Sequence, residues 1–152
     1  MKSIITLTLL SVLFVACNTQ KHAYEDIFPS DTPDGIEFDL SIGDFNAIIG
    51  DSAIMVDANG NATVFYQELE GEKLEAAMYY FGTKGKQPLY EIIFMYKSEA
   101  ERDADALRML GEKTNEEGWQ LQREPYDVKA WTYESKLIIA ARIPTTEWFE
   151  EE

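Results

Sequence analysis

The chain is poor in the residues on which most enzymes and metal sites are built. Its 152 residues hold one cysteine, Cys17, and one histidine, His22. A single cysteine cannot form an internal disulfide or a thiolate metal cage. With His22 close to the N-terminus, the rest of the chain has no histidine for a general base, a triad or a metal ligand. No glycine-rich phosphate loop is present. Basic residues are also scarce: 13 Lys and Arg stand against 28 Asp and Glu, a net charge of −15. That balance excludes the basic footprint a nucleic-acid binder needs and disfavours lying flat on an anionic membrane. It favours solubility and basic partners. No apolar run is long enough to span a bilayer, which takes roughly 20 residues.

The apolar, uncharged stretch Ile4–Ala16 follows Lys2 and has the length of a signal-peptide core, with no basic stop-transfer cluster behind it. It ends Phe14-Val15-Ala16-Cys17. This resembles the lipobox of bacterial lipoproteins, with Phe14 where leucine is usual. The resemblance implies that residues 1–16 are removed and that Cys17 carries a diacylglyceryl group on its sulfur. It implies a cell-envelope location with the membrane reached through lipid on Cys17. Asn18, rather than aspartate, follows the cysteine, which by analogy with enteric bacteria favours the outer membrane.

Residues 17–34 read as a lipidated tether. They contain Pro29, Pro33, Ser30, Asp31 and Thr32 without sustained periodicity, and Tyr24, Ile27 and Phe28 are the large apolar residues able to dock. Residues 35–149 are expected to form a single domain, and 150–152 an acidic tail. At 12% aromatic and 45% hydrophobic, the chain can bury a core.

Alternation and turn residues predict strands at Val64–Leu69, Leu74–Phe81, Leu89–Tyr96, Trp119–Arg123, Val128–Tyr133 and Lys136–Ile143. Asp57–Asn61 reads as a turn around Asn59-Gly60. Leu89–Tyr96 is apolar on both faces apart from Glu91, as in the middle of a covered sheet. One long helix is predicted over about 99–117, opened by Ser98 and Glu101 at capping-box spacing and stopped by Gly118. Its expected buried stripe is Ala100, Ala104, Leu107, Leu110 and Gly111. Residues 45–50 fit either a helix turn or a strand end. The fold class is therefore α+β, a mostly antiparallel sheet with the helix on one face. A weak internal echo pairs Ala47–Asp51 with Arg108–Glu112, and Lys73–Ala77 with Lys136–Ala140. This resembles in layout the tandem helix-plus-hairpin plan of β-lactamase-inhibitor-protein-like envelope domains, and implies two α/β halves.

Carboxylates are the remaining source of chemistry. Glu91, in an apolar strand, invites a raised pKa, and Glu68 and Glu75 are candidates to face each other across a hairpin. Asp57, Asn59 and Asn61 with Glu68 have the spacing of a calcium loop, but Ala62 stands where the loop needs glycine, and strands replace the flanking helices. Asp51-Ser52-Ala53 is similar to an O-glycosylation triplet of some Bacteroidota. No catalytic residue, metal or cofactor is expected.

A two-residue turn at Glu134-Ser135 sets a hairpin register. Tyr133 then faces Lys136, Trp131 faces Ile138, Lys129 faces Ala140 and Asp127 faces Arg142. Side chains alternate between faces. Ala130, Val128, Leu137 and Ile139 suit packing beneath the helix, while Trp131, Tyr133 and Arg142 fall on the opposite face. Those three types dominate binding hot spots. The expected function is a non-catalytic envelope protein that binds a protein partner, as inhibitor, immunity protein or complex subunit. The alternative is a carrier of a small ligand or glycan, or a carboxylate-only hydrolase with Glu91 at the base of a pocket.

Overall fold

In a computed structural model, which describes residues 23–58 and 60–149, the chain forms one sheet with its helices on one side. The signal segment, Cys17, His22, Asn59 and the tail 150–152 lie outside the described residues. Helix α1 (Ile42–Ile49) leads into strands β1 (Ala53–Ala58), β2 (Thr63–Glu68), β3 (Leu74–Phe81) and β4 (Leu89–Tyr96). Helix α2 (Glu99–Leu110) is followed by β5 (Trp119–Leu121), β6 (Val128–Tyr133) and β7 (Lys136–Ala141). The seven strands lie in the order β1-β2-β3-β4-β7-β6-β5, each neighbour antiparallel. β4, the doubly apolar strand, is the central one.

Two helix-plus-three-strand halves flank β4. Ser41 caps α1 by accepting from the Asp44 N–H, and Ser98 caps α2 by accepting from the Glu101 N–H. Both helices end on a glycine with positive φ, Gly50 at 59° and Gly111 at 74°. Leu74 and Leu137, equivalent in the sequence echo, lie at the start of the two strands beside β4, as the first residue of β3 and the second of β7, and both are fully buried.

The register assigns the faces. Phe65, Tyr79, Ile92 and Ile139 pair across successive strands and point toward the helices, as do Ala77, Phe94 and Leu137. α1 lowers Phe45 onto Phe65, Tyr79 and Phe81 at ring separations of 4.8–5.3 Å. A register shift between Tyr80 and Phe81 sets Leu89 opposite Phe81 on this same side, so β4 does not keep the simple alternation that groups Leu89 with Ile93.

Three boundaries differ from expectation. The segment read as a tether to residue 34 enters the core: Tyr24, Ile27 and Phe28 are buried, Phe28 packs against Phe94, and Tyr24 packs edge-on to Phe38. The folded unit thus begins before Gly35. α2 stops at Leu110 rather than near residue 117. Gly111 ends it, and Glu112–Glu117 form a loop in which the Asn115 side chain accepts from the Glu117 and Gly118 N–H groups. β1 was not anticipated, because its side chains lie almost wholly in solvent.

The buried side of α2 also differs. Leu110 is buried, but Ala100 and Ala104 are exposed and Leu107 is 54% exposed. The inward residues include Arg102, Asp105 and Ala106. Asp105 is satisfied there by Lys73 at 2.7 Å, by the Tyr96 hydroxyl at 3.5 Å and by Arg108. Leu107→Ala should therefore change unfolding free energy by under about 0.5 kcal/mol, the range of a surface substitution. A chemical denaturation midpoint checks this, and a loss of about 2 kcal/mol or more would place the residue in the core.

Candidate binding face

Neither α1 nor α2 packs on the opposite face of the sheet. The β6–β7 hairpin has the register Tyr133↔Lys136, Thr132↔Leu137, Trp131↔Ile138, Ala130↔Ile139, Lys129↔Ala140 and Val128↔Ala141. The Arg142 N–H then donates to the Asp127 carbonyl at 2.8 Å, continuing the ladder. Ala130, Leu137 and Ile139 face the helices, so Trp131, Tyr133 and Arg142 belong to the opposite face. Pairings carry that face across the molecule, through Ile138↔Ile93, Ile93↔Met78 and Met78↔Tyr66. Tyr66, Met78, Ile93 and Trp131 are half-buried, and Tyr133 is 62% exposed.

Cations lie along the aromatic end of this face. Lys136 Nζ is 5.4 Å from the Tyr133 ring centre and 3.6 Å from Glu134. Lys129 Nζ is 6.0 Å from the Trp131 ring centre and 3.7 Å from Glu117.

The residue that sequence reasoning missed is Trp148. After β7 the chain turns at Thr145, φ 76°, and Thr146 pins the turn by donating its hydroxyl to the Ile143 carbonyl at 2.7 Å. A 3₁₀ turn over Glu147–Phe149 then lays Trp148 back on the open face. Its ring meets Trp131 edge-on at 5.1 Å, and its Nε1 donates to Glu91 Oε2 at 2.7 Å. Glu91 pairs with Ala140, and Ala140 with Lys129. The alanine leaves room for the indole between the two charged neighbours. No periodicity could have signalled this contact, because Trp148 belongs to an irregular terminal turn.

Glu91 is buried here, and burial pushes its carboxyl up to about 7; the Trp148 N–H opposes the rise and nearby Glu147 adds to it. It lines neither of the two clefts beside Trp148. One, of about 280 Å³, is bounded by Gln120, Asp127, Lys129, Ala140 and Arg142; the other, of about 260 Å³, by Glu117, Lys129 and Trp131. Both fall below the roughly 300–1,000 Å³ of typical ligand pockets. The two hairpin carboxylates expected to face each other do not. Glu68 sits opposite Ala76 rather than Glu75, and both glutamates are exposed.

The calcium-loop spacing is not closed either: Asp57 and Asn61 flank the β1–β2 hairpin, while Glu68 ends β2 at the far side. Among the described residues, no group of three His, Cys, Asp or Glu side chains could hold a metal ion. Also among them, no helix is long and apolar enough to cross a membrane. In the Asp51-Ser52-Ala53 triplet, the Ser52 hydroxyl donates to the Ile49 carbonyl and accepts from Gln67 Nε2.

No family model, curated protein or solved structure matches the chain.

Proposed function

We propose that the chain is a lipid-anchored envelope protein that binds another protein through the open sheet face and catalyses nothing. The observation that carries this reading is the aromatic and aliphatic stripe on this face, with Tyr133 exposed and Trp131, Ile93, Met78 and Tyr66 partly so, joined through the buried Ile138. Exposed apolar patches on soluble domains mark interaction sites, and aromatic residues with arginine supply most binding energy there. Trp131, Tyr133 and Arg142 are the assigned contact residues. The carboxylate-hydrolase alternative would need an accessible Glu91, and the Trp148 N–H is bonded to it; a carrier of a small ligand or glycan is the other alternative. The anchor is the lipid on Cys17, and the outer membrane is the favoured location. The net charge of −15 suits a partner with a basic surface.

Envelope preparations test the reading by crosslinking, with the full chain as bait. Trp131→Ala and Tyr133→Ala should each reduce recovery of the crosslinked partner by about tenfold or more, the loss expected of a hot spot. Leu107→Ala, on the helix side, should recover it as the parent does. Unchanged recovery with both aromatic variants, each shown to fold, would remove the binding role. Cys17→Ser, carried through the same preparation, should leave the protein outside the membrane fraction.

A further inference from the structure

The 3₁₀ turn Glu147–Phe149 rests on the open face through few contacts. Among the described residues, its side chains share two hydrogen bonds with the sheet. The Trp148 Nε1–H donates to Glu91 Oε2 at 2.7 Å, and the Tyr90 hydroxyl donates to Glu147 Oε2 at 3.4 Å. The Trp148 ring adds its edge-on contact with Trp131. The base of the turn is fixed separately, by the positive φ of Thr145 and the bond from the buried Thr146 hydroxyl to the Ile143 carbonyl. Glu147 and Trp148 can therefore leave the sheet while the chain up to Thr146 stays in place.

The contact that matters most ends on a carboxyl group in the central strand. Glu91 is 7% exposed. The row that runs through it across the sheet is Asp57, Val64, Tyr80, Glu91, Ala140 and Lys129, on β1, β2, β3, β4, β7 and β6. From the turn, Glu147 and Trp148 face it. Lys129 is 3.7 Å from Glu117, and with Arg142 it lines the cleft beside Trp148, which Glu91 does not line. Among the described residues, Glu91 has no ion pair with a cation. Burial raises the Tyr80 and Tyr90 hydroxyls above their ordinary value of 10, so both stay neutral between pH 5 and pH 8. A negative charge on Glu91 would thus meet one N–H donor, against burial and the neighbouring Glu147 carboxylate. A buried charge so poorly matched is costly unless water can reach it.

We propose that the turn Glu147–Phe149 is a latch on the open face, shut while Glu91 is neutral and released when Glu91 is charged. In the shut form Glu91 keeps its proton and accepts from the indole through Oε2. Losing the proton leaves an anion enclosed beside Glu147. Release lets water reach both oxygens, separates the two carboxylates and frees the flank of Trp131 that Trp148 touches. The direction follows from linkage. The shut form titrates at about 7 and a hydrated carboxyl at 4.5, so the shut form holds the proton more tightly and rising pH favours release. Between pH 5 and pH 8 the ratio of shut to released molecules should fall by on the order of fifty- to a hundredfold. The latch would then regulate the contact surface itself, and that consequence rests on the binding reading above.

NMR of the full chain with isotope-labelled tryptophan tests the latch in the absence of any partner, so its failure would leave the binding reading standing. Spectra of Trp131→Ala and Trp148→Phe assign the ring signals. At pH 5 the Trp131 and Trp148 rings should show a nuclear Overhauser contact. At pH 8 that contact should be lost, and a dissolved nitroxide should broaden the Trp131 ring signals more than at pH 5. Glu91→Gln, which cannot ionise, should keep the contact at pH 8. Persistence of the contact at pH 8 in the parent would overturn the latch, as would a Trp131 ring no more accessible to the nitroxide at pH 8 than at pH 5. Loss of the contact at pH 8 in Glu91→Gln would overturn the role of Glu91. Should that variant fail to fold, the carboxyl carbon signal of Glu91 in the parent decides. Its titration and the loss of the ring contact should share one midpoint, and separate midpoints would overturn the coupling.

Discussion

Phe45→Ala is expected to cost about 3–5 kcal/mol, the range for an aromatic residue deleted from a core. α1 is eight residues long, too short to hold itself together in water. Its buried residues are Phe45 and Ile49, and Phe45 carries the ring contacts to Phe65, Tyr79 and Phe81. Each aromatic pair contributes about 0.5–1.5 kcal/mol beyond the area it buries. A domain of ordinary stability, about 5–15 kcal/mol, would lose a large share. Guanidinium denaturation followed by circular dichroism measures the change. The exposed Ile48, three residues on, serves as the control, and its alanine variant should shift stability by under about 0.5 kcal/mol. A loss below about 1 kcal/mol at Phe45 would mean that α1 is not fastened to the sheet through this ring.

The second large effect is set by pH. In the folded protein Glu91 titrates at about 7, against an ordinary value of 4.5. The folded state therefore holds this proton more tightly than the unfolded chain. The resulting stabilisation is fully present below pH 4.5 and is lost as pH rises toward 7 and beyond. Ionising the buried carboxylate removes on the order of 3 kcal/mol. Glu91→Gln stays neutral, and its side-chain oxygen still accepts from Trp148 Nε1. The variant should gain about 2–3 kcal/mol over the parent at pH 8 and little at pH 5. Urea denaturation of both proteins at the two pH values isolates Glu91 from the many other carboxylates. Parallel pH profiles would mean that Glu91 is solvated and the Trp148 cover open.

What the sequence disclosed about the fold depended on how local the determinant was. The β6–β7 hairpin could be placed to the residue because a two-residue turn at Glu134-Ser135 leaves one register, and Glu134 takes the positive φ of 50° that such a turn requires. The central position of β4 followed from apolar residues on both of its faces. The length of α2 did not, because Glu112, Lys113, Glu116 and Glu117 are good helix formers and hid the stop at Gly111. Nor did its buried face. Asp105 and Arg102 look like solvent residues by type, yet Lys73 and Tyr96 on the sheet make Asp105 an inward one, and those partners are distant in sequence. β1 escaped notice because a strand exposed on both faces has no alternation to read. Of the candidate face, Trp131, Tyr133 and Arg142 were legible from hairpin parity, whereas their neighbour Trp148 was not.

The spatial order of the strands has a consequence for the order in which the molecule can be completed. β1 to β4 form a meander of sequential pairings that can assemble as the chain emerges. The other side of β4 waits for β7, the last strand to be made. The start of the fold waits as well: the Tyr24 hydroxyl exchanges hydrogen bonds with the Tyr126 backbone, and Arg123 grips Asp26 with both guanidinium nitrogens, at 2.8 and 3.1 Å. Closing loops of that span is slow, since their entropy must be spent before any contact forms. Synthesis or threading from the N-terminus thus presents a half-sheet with an unpaired middle strand until the final residues arrive. A truncation just after Tyr133 would leave that half-sheet as the end state, with the doubly apolar strand β4 as its open rim.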